Sequence, residues 1–222
     1  MIQNHMLNAG HFLKTSFSLL NRAVHIINDV KQSDKLNTLH KTEIDPVTTA
    51  DLMAQFVIEE KYKEVYPGIK IFGEEAPASL IQSDISSIDH NASNFDESKF
   101  DHIQFPFEDC AVWIDPVDGT NEFVAGKLDE VTCMIALAVN GIPKIGLIAT
   151  IWEPTDSESQ KYKFNPSVYF AVDGVQNVFR YSLDQDSNVS LIKKFEPFGQ
   201  ENYSGKKLDL SSLLHRKDCD EL

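Results

Sequence analysis

The stretch WIDPVDGTNEF, which runs from Trp113 to Phe123, decides how this chain is interpreted. Directly after the apolar segment 111–114, it places Asp115 and Asp118 three positions apart in a frame of Pro, Gly and Thr. Asp-Pro and Asp-Gly are both turn dipeptides, so this pattern alone is compatible with a plain turn at a strand end. Two carboxylates held that close are equally compatible with a site for a metal ion. The rest of the sequence has to decide between the two.

The charge of the chain limits its partners. Among 222 residues, 34 are Asp or Glu and 20 are Lys or Arg, which gives a formal net charge of −14. A surface this acidic repels nucleic acid polymers and anionic membranes, so neither is expected as a partner. Handling a small phosphate ester would require a local positive element, and a bound metal ion is the obvious candidate.

Cysteine usage and apolar runs predict a cytoplasmic protein. The three cysteines, Cys110, Cys133 and Cys219, are odd in number and widely spaced, which predicts neither a disulfide framework nor a zinc site. The N-terminal residues lack a basic start followed by an apolar stretch, so no signal peptide is predicted. The longest apolar run, 131–139, is too short to cross a bilayer.

Two helices are predicted in the N-terminal part of the chain. Within 7–31, apolar residues share one side of a helix at about 100° per residue. These residues are Phe12, Leu13, Phe17, Leu20, Ala23, Val24, Ile27 and Val30. A second helix is predicted from Thr48 or Thr49, which suit an N-cap, to Tyr66, before the stop signal Pro67-Gly68. Its expected apolar stripe consists of Leu52, Phe56, Tyr62 and Tyr66.

The middle of the chain is predicted to be rich in strands. Strands are expected at 69–72, 111–114, 131–140, 144–152, 168–172 and 178–181, the last two forming a hairpin. Two helices followed by mainly antiparallel strands predict a layered α+β domain over residues 1–182. Within it, 79–110 hold seven acidic residues, one Lys and many Ser and Asn, which predicts a long, solvated and partly mobile insertion. Residues 183–222 are predicted to be a polar tail with a candidate short helix at 208–216.

A third acidic residue favours a metal site at Asp115 and Asp118 over a plain turn. Glu74 directly follows the strand at 69–72, and it would join the two aspartates if that strand and the one before Asp115 share a sheet. Three carboxylates so close together repel one another unless a cation lies between them. Oxygen ligands of this kind suit Mg²⁺, with Mn²⁺ as the alternative. The Val117 carbonyl, forced outward by the turn, is a further candidate ligand. The competing interpretation of Glu74 is an ordinary surface residue in a loop.

Asp51 and Thr120 are candidates for handling water, although each has an ordinary interpretation. Asp51 lies in the first turn of the second helix, where the helix dipole favours an acidic residue in any case. Thr120 follows Gly119 at the start of a candidate short helix, where it would serve as an N-cap or orient a water with its hydroxyl. Gly119 would let a ligand approach the backbone, and free N–H groups at a helix start hold phosphate well.

Together these residues predict a metal-assisted phosphoester hydrolase, in which metal ions polarise the phosphate and activate water. Competing motifs do not occur: the sequence has no G-x-x-x-x-G-K-[ST], no G-x-S-x-G and no H-E-x-x-H.

Three motifs occur in order along the chain. They are D-x-x-T-x-A-D at Asp45–Asp51, G-E-E at Gly73–Glu75 and W-I-D-P-x-D-G-T at Trp113–Thr120. They closely resemble the signatures of the inositol monophosphatase superfamily of Mg²⁺-dependent, lithium-sensitive phosphatases. The resemblance covers roughly residues 8–182. It implies a layered αβαβα sandwich of the sugar and inositol phosphatase type, of which this chain supplies mainly the first α+β half.

The resemblance also implies a role for each site residue. Metal would be bound by Glu74, Asp115, Asp118 and the carbonyl of Val117. The attacking water would be activated by Asp51 and Thr120. The phosphate would be contacted by Asp118, Gly119 and Thr120.

The substrate branch is implied by the residues around the DGT motif. Glu122-Phe123 and the stretch VTCMIALAVNGIPKIGLI resemble most the bisphosphate nucleotidase branch. This implies a 3′(2′),5′-bisphosphate nucleotidase acting on adenosine 3′,5′-bisphosphate. Asn121 stands where that branch commonly has Lys, so an inositol phosphate is the alternative substrate, either a monophosphate or one of the polyphosphate 1-phosphatase type.

A second α/β region of the family pattern has no counterpart here. That region supplies one more metal-binding aspartate in a W-D-x-A-type motif, whereas no Trp follows Trp152 in this chain. The alternative to an enzyme is therefore a truncated, non-catalytic half-protein that binds metal. Its apolar strands would keep an exposed face, so self-association is expected.

Overall fold

Two long helices pack on a mixed seven-stranded β-sheet. The computed structural model describes residues 5–33, 39–42, 45–75, 95–155, 161–175, 177–183 and 189–194. The helices are α1 (Ala9–Gln32), α2 (Thr49–Val65) and the short α3 (Thr120–Ala125), with 3-10 turns at Glu97–Lys99, Phe107–Asp109 and Leu128–Glu130. The strands are β1 (Met6–Asn8), β2 (Leu39–Thr42), β3 (Asp45–Val47), β4 (Lys70–Gly73), β5 (Gln104–Pro106), β6 (Cys110–Asp118), β7 (Thr132–Val139), β8 (Ile142–Pro154), β9 (Tyr162–Val172), β10 (Asn177–Ser182) and β11 (Val189–Lys194).

Helix α1 confirms the helix predicted at 7–31. Asn8 is its N-cap, and the Asn8 side-chain oxygen accepts the His11 N–H at 2.8 Å. Every residue of the predicted apolar side is buried in the core. Ser18, predicted on the polar side, is buried as well and donates to the Lys14 carbonyl at 3.2 Å. A buried helical hydroxyl is satisfied in this way by its own backbone.

Helix α2 occupies the predicted span, but its buried side differs from the predicted stripe. Tyr62 and Tyr66 are buried as expected, whereas Leu52 and Phe56 are only half-buried. The buried face also contains small and polar residues, and it consists of Ala50, Asp51, Ala54, Gln55, Val57, Ile58, Lys61 and Tyr62. The stripe prediction was wrong at Leu52 and Phe56 because it considered only large apolar side chains.

The order of strands in the sheet is β11-β10-β9-β8-β7-β6-β4. Strands β6 to β11 pair antiparallel, while β4 joins β6 in parallel. The predicted hairpin is confirmed, since β9 and β10 are joined through a turn at Asp173 and Gly174, and the φ of +83° at Gly174 suits glycine. The α+β class predicted from the sequence is therefore the observed one.

Part of the predicted acidic insertion is packed into the fold. Residues 79–94 lie outside the described residues. Phe95, Phe100 and Phe105 are buried, and β5 pairs antiparallel with β1. Within 95–110, most charged side chains are exposed, as predicted for a solvated segment, whereas the prediction was wrong for the aromatic side chains, which pack into the core.

The sheet face that points away from α1 and α2 exposes apolar side chains. Phe72 and Trp113 are cross-strand partners on β4 and β6, and their rings stack with centroids 4.6 Å apart. They are 46% and 47% exposed, and Ile148 on β8 is 44% exposed. In the described part of the chain, no second helical layer covers this face.

The described chain continues past residue 182 into the sheet. Strand β11 pairs antiparallel with β10 and extends the sheet to Lys194. The helix predicted at 208–216 lies outside the described residues, as does Cys219. Cys110 and Cys133 are buried and free. Among the described helices, none is both long and apolar enough to span a membrane.

Candidate metal centre

The parallel pairing of β4 with β6 brings Glu74 beside Asp115. Gly73 lies opposite Ile114, and the Glu74 N–H extends the ladder by donating to the Ile114 carbonyl at 3.0 Å. Because β4 and β6 run parallel, Glu74, which follows β4, and Asp115, which lies in the last part of β6, are placed at the same edge of the sheet. The condition on which the sequence-based site depended, that these two strands share a sheet, is confirmed.

Asp115 is a largely buried acid with an unsatisfied oxygen. In the described structure its Oδ1 atom is buried and has no hydrogen-bond partner. The pKa of Asp115 is raised to about 8, mainly by burial and next by the charge and hydrogen bonding of Glu74. The charges of Asp118 and Asp51 act in the same direction with smaller effect. A cation bound nearby would lower the pKa of Asp115 again, because it stabilises the ionised carboxylate.

Asp118 is exposed and accepts a long hydrogen bond, 3.4 Å, from Thr132 Oγ1. Across the described ranges, no group of three or more His, Cys, Asp or Glu side chains is arranged to hold a metal ion. Asp118 is nevertheless near enough to raise the pKa of Asp115.

Thr120 connects the DGT turn to helix α2. Its hydroxyl oxygen lies 3.1 Å from Asp51 Oδ1 and 2.9 Å from the carbonyl oxygen of Val117. A hydroxyl has one proton, so these two acceptors share it, and the lone pairs of Thr120 Oγ1 can accept a further hydrogen bond. The carbonyl of Val117 thus lies beside the two residues predicted to handle water.

Asp51 uses its two carboxylate oxygens for different purposes. Oδ2 belongs to a capping box and accepts the Thr48 N–H at 2.8 Å and the Thr48 hydroxyl at 2.5 Å. Oδ1 accepts from Thr120. Burial raises the pKa of Asp51, while the hydrogen bonds from Thr48 and Thr120 oppose that rise. The ordinary capping role and the proposed chemical role are therefore compatible in one residue.

Gly119 is required by the turn that presents Thr120. Its φ of +86° lies in the left-handed region, and an added Cβ would come within 2.8 Å of the Glu130 carbonyl oxygen. Helix α3 begins at Thr120 and is anchored from α1, because Lys31 Nζ donates to the Phe123 carbonyl at 2.8 Å. The predicted phosphate contacts of Gly119 and Thr120 remain a prediction.

Sequence reasoning missed Gln55. Its buried side chain bonds both backbone groups of Glu75: Nε2 donates to the carbonyl at 2.8 Å, and Oε1 accepts the N–H at 2.8 Å. Gly73 permits this approach, because a Cβ there would collide with the Gln55 amide. One signal in the sequence points to it: Gln55 comes four residues after Asp51 and so shares its side of α2.

The oxygens gathered here fit a hard divalent cation. Glu74, Asp115 and Asp118 offer carboxylates and Val117 offers a carbonyl, the ligands that Mg²⁺ and Mn²⁺ prefer. The buried, unpaired Oδ1 of Asp115 is the atom in this structure that such an ion would satisfy.

Residues 8–203, well over half of the chain, match the inositol monophosphatase family, so the match extends beyond residue 182, where the resemblance was predicted to end. The chain therefore belongs to the inositol monophosphatase family, and the membership predicted from its motifs is confirmed. Among individual relatives, it is 30% identical over 152 residues to 3′(2′),5′-bisphosphate nucleotidase 1 of Dictyostelium discoideum, a match that covers 64% of this chain and 47% of that protein.

Other relatives carry two kinds of name. Human 3′(2′),5′-bisphosphate nucleotidase 1 is 30% identical over 145 residues, covering 60% of this chain and 44% of that protein. The putative inositol monophosphatase 3 of Drosophila pseudoobscura pseudoobscura is 30% identical over 125 residues, covering 54% and 35%. The chain thus spans about half the length of the relatives it matches, or less.

Solved structures agree on the fold. Extragenic suppressor protein suhB from Bartonella henselae gives a TM-score of 0.50 at 17% identity, covering 82% of this chain and 52% of that one. Staphylococcal IMPase-I complexed with products gives 0.51 at 16% identity, covering 78% and 51%. Likeness at this level of identity shows the fold and confirms the predicted α+β architecture.

Proposed function

We propose that this chain carries the metal-binding and water-activating part of a Mg²⁺-dependent phosphomonoesterase. The observation that carries the proposal is the adjacent pair Glu74 and Asp115 with the unsatisfied Asp115 Oδ1. Asp51 accepts a hydrogen bond from the Thr120 hydroxyl, and its charge contributes to the raised pKa of Asp115. Family membership supports the same chemistry.

The ion would be held by Glu74, Asp115, Asp118 and the Val117 carbonyl. When bound, Mg²⁺ supplies the positive charge that polarises a phosphate ester and lowers the pKa of water. Asp118 would exchange its long contact with Thr132 for this position. That exchange removes little, because a hydrogen bond of 3.4 Å is weak.

Thr120 and Asp51 would handle the proton of the attacking water. Thr120 Oγ1 accepts a hydrogen bond from the water while its own proton stays directed at Asp51 Oδ1. Because Thr48 occupies Oδ2, Oδ1 is the Asp51 atom that would take up the proton through Thr120. Positioned proton transfer of this kind contributes about 10²–10⁴-fold to a rate. Gly119 and Thr120 would contact the phosphate together with Asp118.

Adenosine 3′,5′-bisphosphate is the substrate we favour, with release of its 3′-phosphate. Support comes from relatives named 3′(2′),5′-bisphosphate nucleotidase and from Glu122-Phe123 after the DGT motif. An inositol phosphate is the second candidate, because other relatives are named inositol monophosphatase 3 and Asn121 departs from the Lys of the nucleotidase branch. Both are small phosphorylated molecules, which an acidic protein can bind through a metal ion.

The second interpretation is a protein that binds metal without turning over substrate. Among the described residues, no group of three or more acidic side chains is already arranged around one ion, which favours this alternative. Cytoplasmic localisation remains a prediction from the sequence.

The test is phosphate release from adenosine 3′,5′-bisphosphate and from inositol 1-phosphate, each with MgCl₂ or EDTA, by the wild type and Asp51→Asn. We expect Mg²⁺-dependent release that is faster with the nucleotide and is lost in Asp51→Asn. Metal binding without release would select the non-catalytic alternative. Release that is equal with MgCl₂ and EDTA would contradict the proposal.

A further inference from the structure

Gln55 ties helix α2 to the backbone that follows β4. Its Oε1 and Nε2 atoms form a closed pair of hydrogen bonds with the N–H and carbonyl of Glu75. The second proton of Nε2 goes to Glu59 Oε1 at 2.8 Å. This network fixes the orientation of the amide, because exchanging its oxygen and nitrogen would set a donor against a donor and acceptors against acceptors.

The bonds of Gln55 lie next to the candidate ligand Glu74. On one flank, the Glu74 N–H is fixed to the Ile114 carbonyl of β6 at 3.0 Å. On the other flank, the Glu75 peptide groups are fixed to Gln55. The backbone of Glu74 is thus held on both sides, and the segment cannot turn without breaking buried hydrogen bonds.

One face of α2 therefore aligns two parts of the site. Asp51 and Gln55 are four residues apart and both are buried on that face. Asp51 reaches the Thr120 hydroxyl, while Gln55 reaches the segment that carries Glu74. A helix is a rigid element, so it can fix the distance between groups that would otherwise depend on two separate loops.

We propose that Gln55 is a positioning residue for Glu74, which holds the Glu74 carboxylate at the place where a divalent cation binds between it and Asp115. This inference rests on the proposed function, since it needs a cation at that pair. Removing a residue that orients a metal ligand without binding the metal itself typically weakens metal affinity by about 10–100-fold. Gly73 is part of the same arrangement, because only glycine at this position leaves room for the Gln55 amide.

The experiment is calorimetric titration of the metal-free protein with MnCl₂, on the wild type, Gln55→Met, Lys61→Met and Asp115→Asn. Gln55→Met keeps the length of the side chain and removes its hydrogen bonds. Lys61→Met is the matched control, because Lys61 is also buried on α2 but bonds to Glu64. We expect Gln55→Met to bind Mn²⁺ about tenfold more weakly or worse, and Lys61→Met to match the wild type.

A second readout separates positioning from general weakening of the fold. Hydrogen exchange of the Glu75 amide should be faster in Gln55→Met and unchanged in Lys61→Met. If Gln55→Met does not fold, Gln55→Glu replaces it: this variant retains the acceptor for the Glu75 N–H, loses the two donated bonds, and should still bind Mn²⁺ more weakly.

The outcomes distinguish this inference from the proposed function. Wild-type Mn²⁺ affinity in the folded Gln55 variant, or lost affinity in both Gln55→Met and Lys61→Met, overturns the positioning role alone. If the wild type binds no Mn²⁺, or Asp115→Asn binds it equally well, the proposed metal site at Glu74 and Asp115 is contradicted. The positioning role of Gln55 is then contradicted as well.

Discussion

Thr120 Oγ1 lies 3.1 Å from Asp51 Oδ1, across 69 positions of sequence. The contact joins the first residue of α3 to the first turn of α2, two elements that carry separate motifs of the sequence. It is the geometry that a hydroxyl needs in order to pass a proton from water to a carboxylate.

The hydroxyl of Thr120 should therefore control turnover. We expect Thr120→Ala to lower kcat by about 10²–10⁴-fold, measured as Mg²⁺-dependent phosphate release from adenosine 3′,5′-bisphosphate. Thr120→Ser keeps the hydroxyl and should retain most of the activity. Equal rates in the Ala and Ser variants would mean that the hydroxyl has no chemical role.

Asp51→Asn tests the other partner of this contact. The amide oxygen of Asn can still accept from Thr48, so the cap of α2 is largely kept while the acceptor of the proton is lost. We expect a fall in kcat of about 10²–10⁴-fold with little change in melting temperature. Full turnover in Asp51→Asn would exclude Asp51 from the proton path.

Divalent metal should stabilise the fold through its three acidic ligands. At a hundredfold excess over Kd, Mg²⁺ should add ~2.7 kcal/mol to the free energy of unfolding, visible as a higher melting temperature. Asp118→Asn should remove most of this shift, even though Asp118 is exposed and bonded to Thr132. Asp173→Asn, a charge change in the distant β9–β10 turn, is the control and should keep it. An undiminished shift in Asp118→Asn would remove Asp118 from the ligand set.

The pKa of Asp115 predicts how pH acts on the metal-free protein. Folding raises this pKa from 3.8 to about 8, so stability is complete while the acid is protonated in both states and is lost as pH rises toward about 8. The melting temperature of the wild type should fall more steeply over that range than that of Asp115→Asn, which cannot titrate. Saturating Mg²⁺ should flatten the wild-type curve. Parallel curves for the two metal-free proteins would show that Asp115 keeps an ordinary pKa.

Much of the site could be predicted from the sequence because its residues lie in short motifs next to strand ends. Glu74 follows β4 and Asp115 lies near the end of β6, and a turn places Thr120 close behind. Such positions depend on local order and on one pairing, β4 with β6, which the sequence analysis took as a condition and the structure confirms. The fold class followed from the same order of elements.

The rest depended on tertiary packing, which the pattern of apolar residues does not encode. The buried face of α2 holds Gln55 because its partner is a backbone segment 20 positions away. Phe95 and Phe100 lie in an acidic stretch, yet they join the core beside Phe170. Composition described the charges of that stretch correctly and missed where its aromatic rings would pack.

The exposed sheet face should make the chain self-associate. Apolar side chains such as Ile148 are exposed at its centre, and exposed apolar area drives association. By gel filtration and analytical ultracentrifugation, we expect species larger than a monomer, shifted toward monomer by Ile148→Lys. Ile142→Lys is the matched control, because Ile142 is 58% exposed at the end of the same strand. A wild type that stays monomeric at all concentrations would contradict this prediction.

The central claim, that Glu74 and Asp115 bind a divalent cation, is tested most directly by anomalous diffraction at the manganese edge from crystals soaked in MnCl₂. We predict an anomalous peak bonded to carboxylate oxygens of both residues, including Asp115 Oδ1, at about 2.1 Å. A manganese peak elsewhere in the molecule, or none, with Asp115 Oδ1 still without a partner, would contradict it.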